Sequence, residues 1–330
     1  MAKQGNSEQW NQPESDKFYA WLNNPKVTTL LLLGILLTLM LMYTPLVFEG
    51  KQVAGSDEVS GIGTVHQIKQ FAEQTGEKAL WNPNVFGGMP RYHRYGTVVN
   101  SLDTFLMSLD AVVAWQVLFL WFGAVGVFLL ARWLGCANVT GVFSGLLFAL
   151  MPHFQALITV GHDSKLRAIM WIPWVLLTFL FLVKKRNLLA TLLFAFIFTM
   201  QFRTQHYQII FYTLLLLLFT GIGTYVKLIA EKKWKEFAKG NALLIGAIVL
   251  VFAMVLHPLL SIREYTPHST RGGGAVTLNA QQDQRDQKGV GFDYATNWSY
   301  SVGEFVDLFV AKFHGRSEEH TSELQSPSAI

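Results

Sequence analysis

The sequence predicts an all-α, polytopic integral membrane protein, and three observations carry that prediction. Hydrophobic residues make up 51% of the 330 residues and charged residues only 15%, a balance too apolar for a water-soluble domain of this length. The apolar residues come in blocks of roughly 20, the length that about 30 Å of bilayer hydrocarbon requires of a helix. Lys and Arg collect in particular loops between the blocks. The net charge of +4 therefore encodes topology, and no nucleic acid is expected as a partner.

Taken in order, residues 1–26 are polar and form a cytoplasmic N-terminal segment. The first apolar run, 27–48, is too long and starts too late for the apolar region of a signal peptide, so it is expected to remain as a span. Six more follow, at 111–134, 139–160, 168–183, 187–202, 207–229 and 241–262, the third interrupted by Pro152. Alternating from a cytoplasmic N-terminus puts Arg132, the Lys184–Lys185–Arg186 cluster and the basic stretch from Lys227 to Lys239 all inside, as the positive-inside rule requires. The outward segments are then 49–110, the short "GHDSKLR" of 161–167, the short "FRTQH" of 202–206, and the residues after about 263.

The long outer loop 49–110 is expected to fold. "TVHQIKQFAEQTG" places Val65, Ile68, Phe71 and Ala72 at the spacing of a helix lying on the membrane surface. In "WNPNVFGGMPRYHRYG" after it, Pro83, Gly87, Gly88 and Pro90 force turns among aromatic residues. The single cysteine, Cys136, excludes an intramolecular disulfide and a Cys-based zinc site.

Candidate chemistry gathers in the outer segments, because the spans themselves are almost free of charge. A transporter that moves ions or protons commonly accepts the cost of mid-span charges, about 2.5–3.5 kcal/mol each. Here His153 and His257, each beside a proline, are the main polar exceptions. Asp57 and Glu58 lie among small residues, Gly55, Ser56, Ser60, Gly61 and Gly63. In such a loop backbone can approach a ligand, and an acid can act as general base or bind a divalent cation (Mg or Mn) through hard oxygens. Equally, the pair can be a solvated turn at the positive end of the next helix.

His162 and Asp163 of "GHDSKLR" can face Asp57 across the outer mouth while Lys165 and Arg167 bind phosphate; alternatively Asp163 caps the fourth span and the two cations snorkel. Arg203 and His206, with Arg263, Glu264, His268 and Arg271, complete a cation-rich outer ring suited to an anionic phosphate on a membrane-embedded tail. P-loop, dinucleotide and His-Glu metalloprotease motifs are absent from the sequence.

The last residues break with what precedes them. "RSEEHTSELQS" resembles the translation of a common sequencing-adapter oligonucleotide over eleven consecutive residues, so 316–330 are expected not to be biological and the natural chain to continue past Gly315.

Five stretches, "PLVFEGKQVAGSDE", "WNPNVFGGMP", "GHDSKLRAIMWIPW", "HPLLSIREYTPHSTRGG" and "YATNWSYSVGEFVDLFVAKFHG", resemble in order and spacing the YfhO-type membrane protein family, within the GT-C membrane glycosyltransferases. The resemblance spans residues 27 to 315. It implies a transmembrane GT-C-like module over 27–262 and an extracytoplasmic segment over 263–315. It also implies transfer of a sugar from a polyprenyl-phosphate donor to a cell-envelope glycan or protein acceptor. The place would be the outer face of the bacterial cytoplasmic membrane, with the lipid bilayer itself as a partner. The first-loop acid of such enzymes matches Asp57, as general base, and the second-loop acid matches Asp163. Glu58, His162, Lys165, Arg167, Arg203, His206 and Arg271 are the expected substrate-binding set, and the cofactor stays open. A flippase or a non-catalytic assembly factor using the same outer cavity is the rival expectation.

Overall fold

The computed structural model of the chain describes residues 21, 23–53, 55–85, 87–92, 102–268, 296 and 303. Arg271, the tail 316–330 and nearly all of 1–26 and 269–315 lie outside them. The chain divides into two units, one of residues 1–63 and 97–255, the other of 64–96 and 256–330.

Helix α1, Pro25–Met42, is started by Asn24, whose side chain accepts from the Lys26 amide at 2.9 Å, with Pro25 in the first turn. It ends at Tyr43, and a four-residue α2, Thr44–Val47, turns the chain, so the predicted single run 27–48 is two helices. The break comes at Pro45, which cannot donate to the preceding turn. Helix α3, Ser56–Thr75, follows, then a two-stranded pair, β1 Trp81–Asn82 and β2 Met89–Pro90, antiparallel with Trp81 opposite Pro90. Helix α4, Leu102–Ser108, leads into the bundle.

The bundle comprises α5 Trp115–Trp133, α6 Asn138–Ala149, α7 Pro152–Val160, α8 Asp163–Lys185, α9 Leu188–Arg203, α10 Tyr207–Ala230 and α11 Trp234–Tyr265. The expected third span is broken into α6 and α7, Pro152 standing in the first turn of α7 where its missing N–H costs nothing. Among the described residues six helices are long and apolar enough to cross a membrane, counting 138–160 as one. The remaining predicted span, α9, has 16 residues, about 24 Å at 1.5 Å per residue. It nevertheless links the two ends of the bundle. The chain is an all-α polytopic membrane protein, and outer faces such as Leu218 and Phe219 of α10, 58% and 69% exposed, suit lipid rather than water.

Helix α8 is the common packing partner of α5, α7, α9 and α10. Its Trp171 is fully buried edge-on to Phe122 of α5, while Trp174 stacks on Phe122 and donates its Nε1–H to the Phe122 carbonyl at 3.0 Å. Small residues admit close helix contact, as lipid-embedded bundles require. A side chain at Gly145 of α6 would begin 2.6 Å from the Ala124 carbonyl oxygen of α5. Gly145→Val is therefore expected to cost about 1–3 kcal/mol through overpacking, read as a lowered melting temperature of the detergent-solubilised protein. An unchanged melting temperature would contradict the packing of α5 on α6.

The loops sort to two ends of this unit. Asn138, at the start of α6, donates to Asn23 (2.6 and 2.9 Å) and Thr28 (2.8 Å) beside the start of α1. Lys184 lies 4.8 Å from the Trp133 ring centroid, and Arg186 pairs with Glu236 at 2.9 Å. The start of α1, the ends of α5 and α8, and the start of α11 thus form one basic pole.

Candidate functional site

The opposite pole collects the end of α7, the start of α8, the end of α9 and the start of α10. Its sequence logic is local. Gly161, at φ 93°, ends α7 in the left-handed conformation that costs glycine least. That sharp turn lets α8 begin at Asp163, five residues before the predicted 168. "DSKLR" is consequently the first turn and a half of a helix and not an outer loop. Asp163 is the first helical residue, with His162 at the cap position. Both acid and histidine are half-buried and both are engaged in further interactions.

Asp57 and Glu58 are corrected in the same way. The expected small-residue loop ends at Gly55, and the two acids are the second and third residues of α3, where a negative charge suits the helix N-terminus. Their side chains lie outside the described part of the structure. Of the glycines expected to admit close approach, Gly61 and Gly63 have open space where a side chain would be. Gly55 alone is confined: a Cβ there would overlap the carbonyls of Thr159 and Val160 at the end of α7. The backbone two residues before Asp57 is thus seated on the backbone three residues before Asp163. The two acid-bearing elements thus meet through their backbones.

Lys165 and Arg167, two apart on α8, do not share a direction. Arg167 reaches Met107 of α4, its Nη1 3.4 Å from the sulfur. Lys165 lies close enough to His206 to act on its charge. His206 follows Arg203 by three residues across a tight turn in which Gln205 takes a positive φ of 60°, a conformation that costs a non-glycine residue energy and that Arg186 and Lys232 also adopt at the basic pole. Arg203 and His206 are half-buried, and Arg203 Nη1 and His206 Nδ1 are buried without hydrogen-bond partners among the described residues. Neither Lys165 nor Arg203 forms an ion pair among the described residues, in contrast to Arg186 at the basic pole.

Sequence reading passed over Gln201. It is fully buried in α9, and its amide donates to the Ala168 carbonyl of α8 at 3.0 Å and to Thr213 Oγ1 of α10 at 2.9 Å. One side chain ties together the three helices that carry Lys165, Arg203 and His206. Its Oε1, and Nε1 of Trp171, are also buried without partners among the described residues, although buried polar atoms are normally satisfied. The available signal was a glutamine inside an otherwise apolar run, "FTMQFR".

His206 has its pKa lowered, first by burial, then by Lys165 and His162. The unfolded chain takes up this proton near the ordinary value of 6.5, and the folded chain only at lower pH. The stability contribution is therefore complete above 6.5 and lost as pH falls from there through the lowered value. Thermal melts between pH 7.5 and pH 5 should show this decline, and His206→Gln should flatten it. A slope identical in the two proteins would remove His206 from the site's electrostatics.

Among the described residues no group of three His, Cys, Asp or Glu could hold a metal ion, the carboxyl groups of Asp57 and Glu58 not being among those residues. Arg263 and Glu264, at the end of α11, belong to the second unit. A pole with half-buried cations, polar atoms left unpaired and two converging acid-bearing helix starts can bind an anion and present an acid beside it. Comparison with family models, with curated proteins and with solved structures finds no match to this chain.

Proposed function

We propose that the protein is a membrane glycosyltransferase that moves a sugar from a polyprenyl-phosphate donor to an acceptor hydroxyl at the cation-bearing pole. The observation that carries the reading is a pole where Lys165 and His162 act on His206 and where, among the described residues, Lys165, Arg203 and His206 form no ion pair with a carboxylate, with the start of α3 seated on the end of α7 just before His162. An isoprenoid tail would lie against the lipid-facing helices, with its phosphate among these cations.

In the proposed step, the Asp57 carboxylate takes the acceptor O–H proton as the acceptor oxygen attacks the anomeric carbon. The bond from that carbon to the phosphate oxygen breaks, and its electron pair leaves on the phosphate. Lys165 and Arg203 face the charge as it grows, where preorganised cations stabilise the transition state more than the ground state. Asp163 and His162 orient the acceptor. Glu58 and Arg167 complete the substrate-binding set, and no step is routed through a metal ion.

The test is bond cleavage. Full-length protein reconstituted in vesicles with a radiolabelled polyprenyl-phosphate sugar should release the lipid phosphate and pass label to an acceptor. A flippase would move the lipid across the membrane with its sugar–phosphate bond intact, and that outcome would defeat the reading.

The proposal also fixes the orientation: the basic pole faces the cytoplasm and the catalytic pole the outside. In a Cys136→Ala background, Asp57→Cys should react with an impermeant maleimide from outside, and Lys185→Cys only after permeabilisation. The reverse pattern would invert the topology.

A further inference from the structure

The second unit contains a cavity of about 450 Å³, walled on one side by α3 and on the other by residues 79–83. Gln67, Gln70 and Gln74 enter it from one face of α3, at the i, i+3, i+7 spacing of successive helical turns. Opposite them stands Trp81. The hairpin fixes this indole: Gly88, at φ 134°, brings its backbone so close that a Cβ there would lie 2.8 Å from Trp81 Nε1. Trp81 is nevertheless 55% exposed. The ring is therefore braced by backbone on one side and open on the other.

Among the described residues the lining contains no ionisable group, and Ile68, Phe71 and Leu80 supply its apolar part. The glutamine amides, of which Gln70 Nε2 lies 3.1 Å from His66 Nε2, offer donors and acceptors, the pairing needed by vicinal hydroxyls, and an indole surface accepts the C–H face of a pyranose ring. A phosphate would find no cation among the described lining residues, and a lipid chain would meet three solvent-exposed amides beside the apolar side chains.

We propose that this cavity binds a neutral sugar ring, serving as an acceptor-glycan subsite. Its role as an acceptor subsite rests on the transferase reading, whereas the binding itself does not.

Saturation-transfer NMR on the full chain in phospholipid nanodiscs tests it, with maltose, N,N′-diacetylchitobiose and octanol as probes. Saturation is expected on the ring protons of at least one disaccharide, lost in Trp81→Ala and retained in Trp81→Phe, which controls for folding. Gln70→Leu with Gln74→Leu should weaken binding roughly tenfold, equivalent to about 1.4 kcal/mol. Asp57→Asn should leave the sugar signal unchanged while removing transfer, so failure of the catalytic reading and failure of this one are separable. No saturation on either disaccharide, saturation on octanol alone, or equal signals in wild type and Trp81→Ala would overturn the proposal.

Discussion

Asp57→Asn is expected to reduce sugar transfer by about a hundredfold to ten-thousandfold, the range that a positioned general base contributes, while donor lipid still binds. The substitution preserves size and removes only the ability to take the acceptor proton. Donor affinity, carried by Lys165 and Arg203, should change little, so the loss should fall on kcat rather than KM. The helical placement of Asp57 sharpens this expectation, because its backbone lies in the first turn of α3 rather than in a loop. Two measurements decide the matter, single-turnover transfer and equilibrium donor binding. Unchanged transfer would exclude Asp57 as the base and leave the cation pole to a binding or flipping role.

Gly55→Val is expected to lower transfer by roughly a hundredfold, the cost that about 1 Å of misplacement can impose on reacting groups. A branched side chain at this position has nowhere to go, since its first carbon would overlap the Thr159 and Val160 carbonyls, and backbone cannot rotate aside as a side chain can. The start of α3 must lift away from the end of α7, carrying Asp57 with it. The transmembrane packing around Trp171 does not involve this contact, so the melting temperature should fall much less than activity. Gly61→Ala, with open space around it, is the matched control and should retain transfer. Equal activity in both variants would show that the seat of α3 on α7 does not position the acid.

Several parts of the structure were legible beforehand because they depend on composition over long windows. Blocks of apolar residues locate helices whatever their neighbours are, so the spans fell within a few residues of their predicted places at α5, α9 and α10. Prediction was poorest where a short polar run continues a helix. "DSKLR" reads as a loop because its residues are charged, yet the turn at Gly161 frees the chain to start α8 there, and charged residues at a helix end satisfy both water and the backbone. On the expected apolar face of α3, Ile68 is 7% exposed and Phe71, 42% exposed, lines a cavity. Two-residue strands such as Trp81–Asn82 are too short to show alternation at all.

For the candidate site, the sequence could name the residue types and assign them to one side by charge counting. It thereby determined that this is a multi-pass helical membrane protein and led to the expectation that the candidate site residues share one side, because apolar blocks along the chain and the distribution of Lys and Arg are one-dimensional properties. Only the tertiary structure decided which of those residues meet. Gly55 on Thr159 and Val160, Gln201 bridging α8 to α10, Lys165 near His206 and Arg167 turned toward Met107 all depend on helix rotation and close backbone contact. Packing sets these, and no single segment encodes them.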